Sequence, residues 1–117
     1  PWSPLARGLL AGTRTSAGDA ESTLRAESDD FARRLYDHPS DWKVVEVVRE
    51  IAQEAGCEPA QIALAWLLSK RAVAAPIIGA TKMRHLDSAI EAVEVALSVE
   101  QIARLEAPYQ PHAVRGF

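Results

Sequence analysis

Gly79-Ala80-Thr81-Lys82, with His85 just beyond, is the group of residues in this chain best suited to chemistry. A short apolar run stops at Gly79, and a helix-like run follows at once with Lys82 and His85 in its first turn. Strand, glycine turn and helix N-terminus in that order make an anion site. Free backbone N–H groups and the positive end of the helix dipole point at the same place. Glycine permits close backbone approach, Thr81 offers a hydroxyl, and Lys82 adds a full positive charge. The stretch reads as a cradle for a phosphate, one carried by a nucleotide cofactor. The alternative is an ordinary strand-to-helix loop whose glycine and lysine hold no ligand.

Other residue groups offer less. Cys57 has no second cysteine and no nearby histidine, which argues against a metal site and rules out an internal disulfide. Residues 51–62 imitate a helix-turn-helix, with Ala52, Gly56 and Ile62 at suitable offsets. A recognition helix presents polar or basic groups near its start, whereas Pro59, Ala60 and Gln61 lead into a solid apolar surface. Tyr36 falls near the end of an expected helix, and Tyr109 and His112 fall in an irregular tail. No lysine is placed to activate either tyrosine.

The elements around the cradle follow from periodicity and caps. Residues 13–27 are small, polar and weakly periodic, and read as a long surface loop. Ser28 is expected to cap a short helix through Asp37, ended by His38-Pro39. Ser40 is expected to cap a stronger helix, with Val44, Val47, Val48, Ile51 and Ala55 on one face and Gly56 as its stop. Pro59 opens the next helix, apolar nearly all round from Ala60 to Leu68 and therefore buried on most sides. Residues 73–78 read as a buried parallel strand, with Pro76 an awkward member. A helix from Met83 to Val93 is expected to turn Leu86, Ala89, Ile90 and Val93 inward. Ser98 and Gln101 form a capping box for a last helix carrying Ile102 and Leu105.

Composition narrows the function class. The 117 residues are 48% hydrophobic with a net charge of −3 and both signs interspersed. This gives no electrostatic case for nucleic acid or a membrane surface. No apolar run approaches the ~20 residues of a membrane span, and a lone cysteine suits the reducing cytoplasm. The fold class is α/β, helix-rich, with about one complete strand. One strand cannot satisfy its own backbone groups, so neighbouring strands are expected from residues upstream of this chain.

Three segments carry a resemblance. They are Pro1-Trp2-Ser3-Pro4-Leu5-Ala6-Arg7-Gly8-Leu9-Leu10-Ala11-Gly12, then Gly79-Ala80-Thr81-Lys82, then Pro108-Tyr109-Gln110-Pro111-His112. Together and in this order they resemble the C-terminal third of aldo-keto reductases, which are NADPH-dependent enzymes on a TIM (β/α)8 barrel. Such a barrel needs roughly 250 residues, so the resemblance implies a portion of one. That portion would run from the cofactor loop (1–12) through a loop and short helix (13–39) to outer helices (40–72). Strand 8 with the phosphate-binding helix (73–94) and a C-terminal helix and tail (95–117) would follow.

The resemblance further implies a cofactor site made of Trp2, Ser3, Pro4, Leu5, Ala6, Arg7, Gly79, Ala80, Thr81, Lys82 and His85. Trp2 would stack on the nicotinamide of NADPH, Ser3 and Leu5 would line the pyrophosphate path, and Thr81 and Lys82 would hold the adenosine 2′-phosphate. Thr13, followed by Arg14, stands where many relatives carry lysine. Arg25 is a further loop cation. Ser88 and Ala89 stand where an acid and an asparagine are usual, with Asp87 the nearest acid. The catalytic Asp, Tyr, Lys and His of the family lie on earlier strands. This chain alone is therefore expected to be inactive, to need the N-terminal barrel segment as partner, and to self-associate without it. The intact enzyme would reduce a small-molecule aldehyde or ketone. A non-enzymatic NADPH-binding regulatory module of the same fold is the alternative.

Overall fold

Among the described residues there are four α-helices, three of which begin on a capping box. The computed structural model describes residues 1–12, 35–36, 38–111 and 113. A 3-10 segment, Ala6–Ala11, precedes α1 (Pro39–Ala55), α2 (Pro59–Leu68) and α3 (Met83–Glu91). A 3-10 turn, Ala92–Glu94, and α4 (Val99–Glu106) complete the order. The expected 13–27 loop with Thr13, Arg14 and Arg25, most of the expected 28–37 helix, and His112 lie outside the described residues.

The cap of α1 differs from expectation. His38, with extended backbone, is the N-cap and Pro39 the first helical residue. Proline fits that position because its fixed φ and missing N–H cost nothing there. Ser40, expected as the cap, is one residue inside and 5% exposed. Asp41 Oδ2 accepts the His38 N–H at 3.1 Å, and His38 Nδ1 accepts the Ser40 N–H at 3.3 Å. Gly56 ends α1 with φ 67, and the Cys57 N–H returns to the Ala52 carbonyl at 3.0 Å.

The buried stripe of α1 is Val45, Val48, Ile51 and Ala52. Val44 and Val47 are only partly buried, and Ala55 is exposed. The stripe is turned relative to the expected face because α1 packs on α2, α4 and the N-terminal 3-10 segment together. Ile51 and Ile62 are both 0% exposed and meet Val48, Ala52 and Leu105 in one core. Burying such a side chain contributes about 1.5–3 kcal/mol. α2 buries five consecutive residues, Gln61 to Ala65, as an all-round apolar helix should. α4 carries the expected capping box, with Ser98 Oγ accepting the Gln101 N–H at 3.2 Å and Gln101 Oε1 accepting the Ser98 N–H at 2.9 Å. Trp66 Nε1 donates to Glu106 Oε1 at 3.0 Å and ties α2 to α4.

Two expectations fail for one reason. Residues 73–78 form no strand; a single parallel bridge joins Ile77 to Trp2, and Ile77 and Ile78 are 69% and 37% exposed. The expected inward face of α3 is also incomplete. Leu86 and Ala89 are half-buried, Ile90 and Val93 are 60% and 67% exposed, and the chain tightens into the 3-10 turn after Glu91. A buried strand needs a partner on each side and a helix needs something to lie on. The described residues supply one short partner, and Pro76 offers no N–H.

Gly12 closes the N-terminal segment with φ 76, its carbonyl accepting Arg49 Nη2 at 3.0 Å. A Cβ there would stand 2.9 Å from Pro59 Cγ. Gly12→Ala in the full-length protein should therefore lower stability by about 1–3 kcal/mol, from strain and overlap together. Gly79→Ala should leave stability unchanged, because a Cβ at Gly79 meets nothing within 4 Å. Denaturant midpoints of the two variants check both statements.

Candidate functional site

The Trp2–Ile77 bridge brings the two expected site segments together. The Ile77 N–H donates to the Pro1 carbonyl at 2.8 Å, and the pairing is parallel. Both chains therefore leave the bridge in the same direction. Ser3 to Arg7 follow on one side, and Gly79 to Lys82 on the other, at the C-terminal end of the pair. In open and closed α/β folds that end is where ligands bind.

The first segment holds an uncommon backbone. Ser3, Ala6 and Arg7 have φ of 53, 48 and 55, followed by Gly8 at 97. Left-handed conformations at non-glycine residues cost of order 1–3 kcal/mol each and collect at ligand sites. Successive turns hold the shape: the Ala6 N–H reaches the Ser3 carbonyl at 3.0 Å, and the Gly8 N–H the Leu5 carbonyl at 2.9 Å. Leu9, 4% exposed, and the Gly12–Arg49 bond anchor its far end. Ser3 to Arg7 are half-buried, whereas the Trp2 indole is 74% exposed and free to stack. Tyr36 lies near Arg7 and Asp41. Burial pushes its phenol up from the ordinary tyrosine value, Arg7 opposes the rise and Asp41 adds to it.

The second segment is the open end of α3. In α1, α2 and α4 the third helical residue reaches back to the N-cap N–H, through Asp41, Gln61 and Gln101. α3 has no such bond and no acid in its first turn. Its N-cap is Lys82, one residue outside the position expected for it, and His85 lies within the first turn. Gly79, Ala80, Thr81, Lys82 and His85 are all exposed. Gly79 needs neither a positive φ nor space within this chain, so its missing side chain leaves room for a ligand. A helix start without a side-chain cap among the described residues, a lysine and a hydroxyl together fit an anionic group such as a phosphate.

Two features had no sequence signal strong enough to single them out. Only Gly8 hints at the strained backbone from Ser3 to Arg7. The buried Gln61, 5% exposed, sits in a stretch whose apolar character masks it, although Glu58 and Gln61 have the spacing of a capping pair. Among the described residues no group of three or more His, Cys, Asp or Glu could hold a metal, and no helix is long and apolar enough to cross a membrane.

Beside the site runs an apolar groove of about 240 Å³, lined among others by Leu64, Leu68, Pro76, Ile78, Ala89 and Val93. Ile77, between two of its lining residues in sequence, is 69% exposed, and an uncovered apolar face of this kind invites association. Expressed without other residues, the chain should run as oligomer or aggregate on size exclusion and melt without cooperativity. A sharp monomer peak with a cooperative melt would contradict this.

The Aldo/keto reductase family model matches residues 1–110. A versiconal hemiacetal acetate reductase of Aspergillus parasiticus is 38% identical over 97% of this chain and 33% of its own length. A putative aryl-alcohol dehydrogenase of Schizosaccharomyces pombe is 40% identical over 99% of this chain and 32% of its own. An aldo-keto reductase of Alternaria alternata is 36% identical over 99% of this chain and 30% of its own. The chain thus spans about a third of the length of these relatives. With a match that runs through both the strained N-terminal segment and the open start of α3, the chain belongs to the aldo/keto reductase family.

Proposed function

We propose that this chain is the C-terminal third of an NADPH-dependent aldo-keto reductase barrel and forms its cofactor cleft. The parallel bridge between Trp2 and Ile77 carries the reading, because it sets the strained loop and the open helix start side by side at one end. Trp2 offers an exposed aromatic face to the nicotinamide. Ser3 to Arg7 bend around the pyrophosphate, their conformation held by Leu9 and Gly12. Gly79 admits the adenosine end, and Thr81, Lys82 and the first N–H groups of α3 hold the 2′-phosphate, with His85 beside them. Bound NADPH supplies a hydride to the carbonyl carbon of an aldehyde or ketone. The tyrosine that gives the proton belongs to strands upstream of residue 1. Relatives named as reductases and aryl-alcohol dehydrogenases support a carbonyl–alcohol interconversion.

Competition binding tests the phosphate assignment. Adenosine 2′,5′-bisphosphate should displace NADPH from the full-length protein, and 5′-AMP should compete at least tenfold less well, the worth of one charge-assisted contact. Equal competition by the two nucleotides would remove the 2′-phosphate from this site.

A further inference from the structure

α3 is a nine-residue helix with no buried residue of its own. Of its apolar residues Met83 and Ile90 are 69% and 60% exposed and Leu86 and Ala89 are only half-buried, so apolar packing among the described residues holds its rotation loosely. Two polar contacts add to that packing. Gln61 Nε2 donates to Glu91 Oε2 at 2.7 Å, and Ser88 Oγ donates to Glu58 Oε2 at 2.6 Å. Ser88 and Glu91 are three residues apart and share one face of α3. Glu58 and Gln61 are the N-cap and third residue of α2. One contact pins a point on a helix; two along a face also fix its phase.

Gln61 uses both ends of its amide, since its Oε1 accepts the Glu58 N–H at 2.8 Å. Glu91 closes α3, where the negative end of the helix disfavours a carboxylate. It lies instead against the N-terminal turn of α2, whose dipole favours it. A residue that breaks a local preference and is compensated by a distant partner marks a positional demand. We propose, resting on the phosphate reading above, that Gln61 is a positioning residue. Through Glu91, and together with the Glu58–Ser88 contact, it sets the rotation of α3 on α2 and so aims Thr81 and Lys82 at the 2′-phosphate.

The test titrates full-length variants with NADPH and NADH. Gln61→Glu keeps an acceptor for the Glu58 N–H but opposes a carboxylate to Glu91. It should weaken NADPH about tenfold and leave NADH within about twofold, the loss of one charge-assisted bond. The double variant Gln61→Glu with Glu91→Gln reverses donor and acceptor and should restore NADPH to within about threefold of wild type. Ser88→Ala, which spares the buried amide, should give a smaller loss of about threefold confined to NADPH; it decides the matter if Gln61→Glu does not fold. Wild-type affinity in Gln61→Glu or in Ser88→Ala, equal losses for both cofactors, or a folded double variant without recovery would each overturn the proposal. The competition experiment above separates the two readings: if adenosine 2′,5′-bisphosphate and 5′-AMP compete equally, the phosphate assignment fails whatever Gln61 does. If they differ as expected while Gln61→Glu keeps wild-type NADPH affinity, only the positioning role fails.

Discussion

Purified alone and offered a reactive aldehyde, this chain should leave NADPH consumption at the buffer rate. Enzymes of ordinary efficiency exceed the uncatalysed rate by about 10⁶-fold or more, so this is a loss of the whole signal. Carbonyl reduction needs an acid that yields its proton near neutral pH. The chain has two tyrosines. Tyr36 moves the wrong way, since burial raises its phenol and the Arg7 charge only opposes the rise. Tyr109 is 63% exposed on the irregular segment after α4. Lys70 is engaged by Glu106 and lies over the Trp66 ring, and Lys82 stands at the start of α3. Lys43 is exposed on α1, and among the described residues none of the three lysines pairs with a tyrosine as the chemistry requires. Turnover that follows the chain through purification would contradict the expectation, and would mean that its own residues complete an acid.

In the full-length protein, Lys82→Ala should weaken NADPH roughly ten- to hundredfold and leave NADH nearly unchanged. The figure follows from a charge-assisted contact of ~1.5–3 kcal/mol at about 1.4 kcal/mol per decade of affinity. Lys82 is the N-cap of a helix with no side-chain cap, so on the proposed reading its charge and the first N–H groups of the helix would act on one anion. The site is exposed, so the loss should shrink at high salt. Fluorescence titration with both cofactors at two ionic strengths checks it. Equal losses for NADH and NADPH would place Lys82 at the pyrophosphate or in the fold. No loss for either would leave the helix end and Thr81 as the whole anion site.

Features set by neighbours in sequence were legible in it. Gly56 stops α1, Pro59 opens α2, and Ser98 with Gln101 caps α4, because each acts within one helical turn. The core residues Ile51, Ile62 and Leu105 were legible as well: Ile51 from helical periodicity, Ile62 from a helix apolar nearly all round, and Leu105 as an apolar residue of the capped last helix. Competition between adjacent signals misled at α1, where His38-Pro39 outranked Ser40 as the start. What depends on distant chain was not legible. The strand expected at 73–78 and the expected inward turn of Ile90 and Val93 are not formed, because both need surfaces beyond the described residues. The positive φ at Ser3, Ala6 and Arg7 had no side-chain signature, since serine, alanine and arginine usually avoid it. At the site itself, sequence marked the segments, and the Trp2–Ile77 pairing set them together.

The most direct measurement is a crystal structure of the full-length protein with NADP⁺. The account predicts the 2′-phosphate within about 3 Å of Lys82 Nζ, Thr81 Oγ1 and the first N–H groups of α3, with the nicotinamide stacked on Trp2. NADP⁺ bound elsewhere, or with its 2′-phosphate turned away from α3, would contradict the central claim.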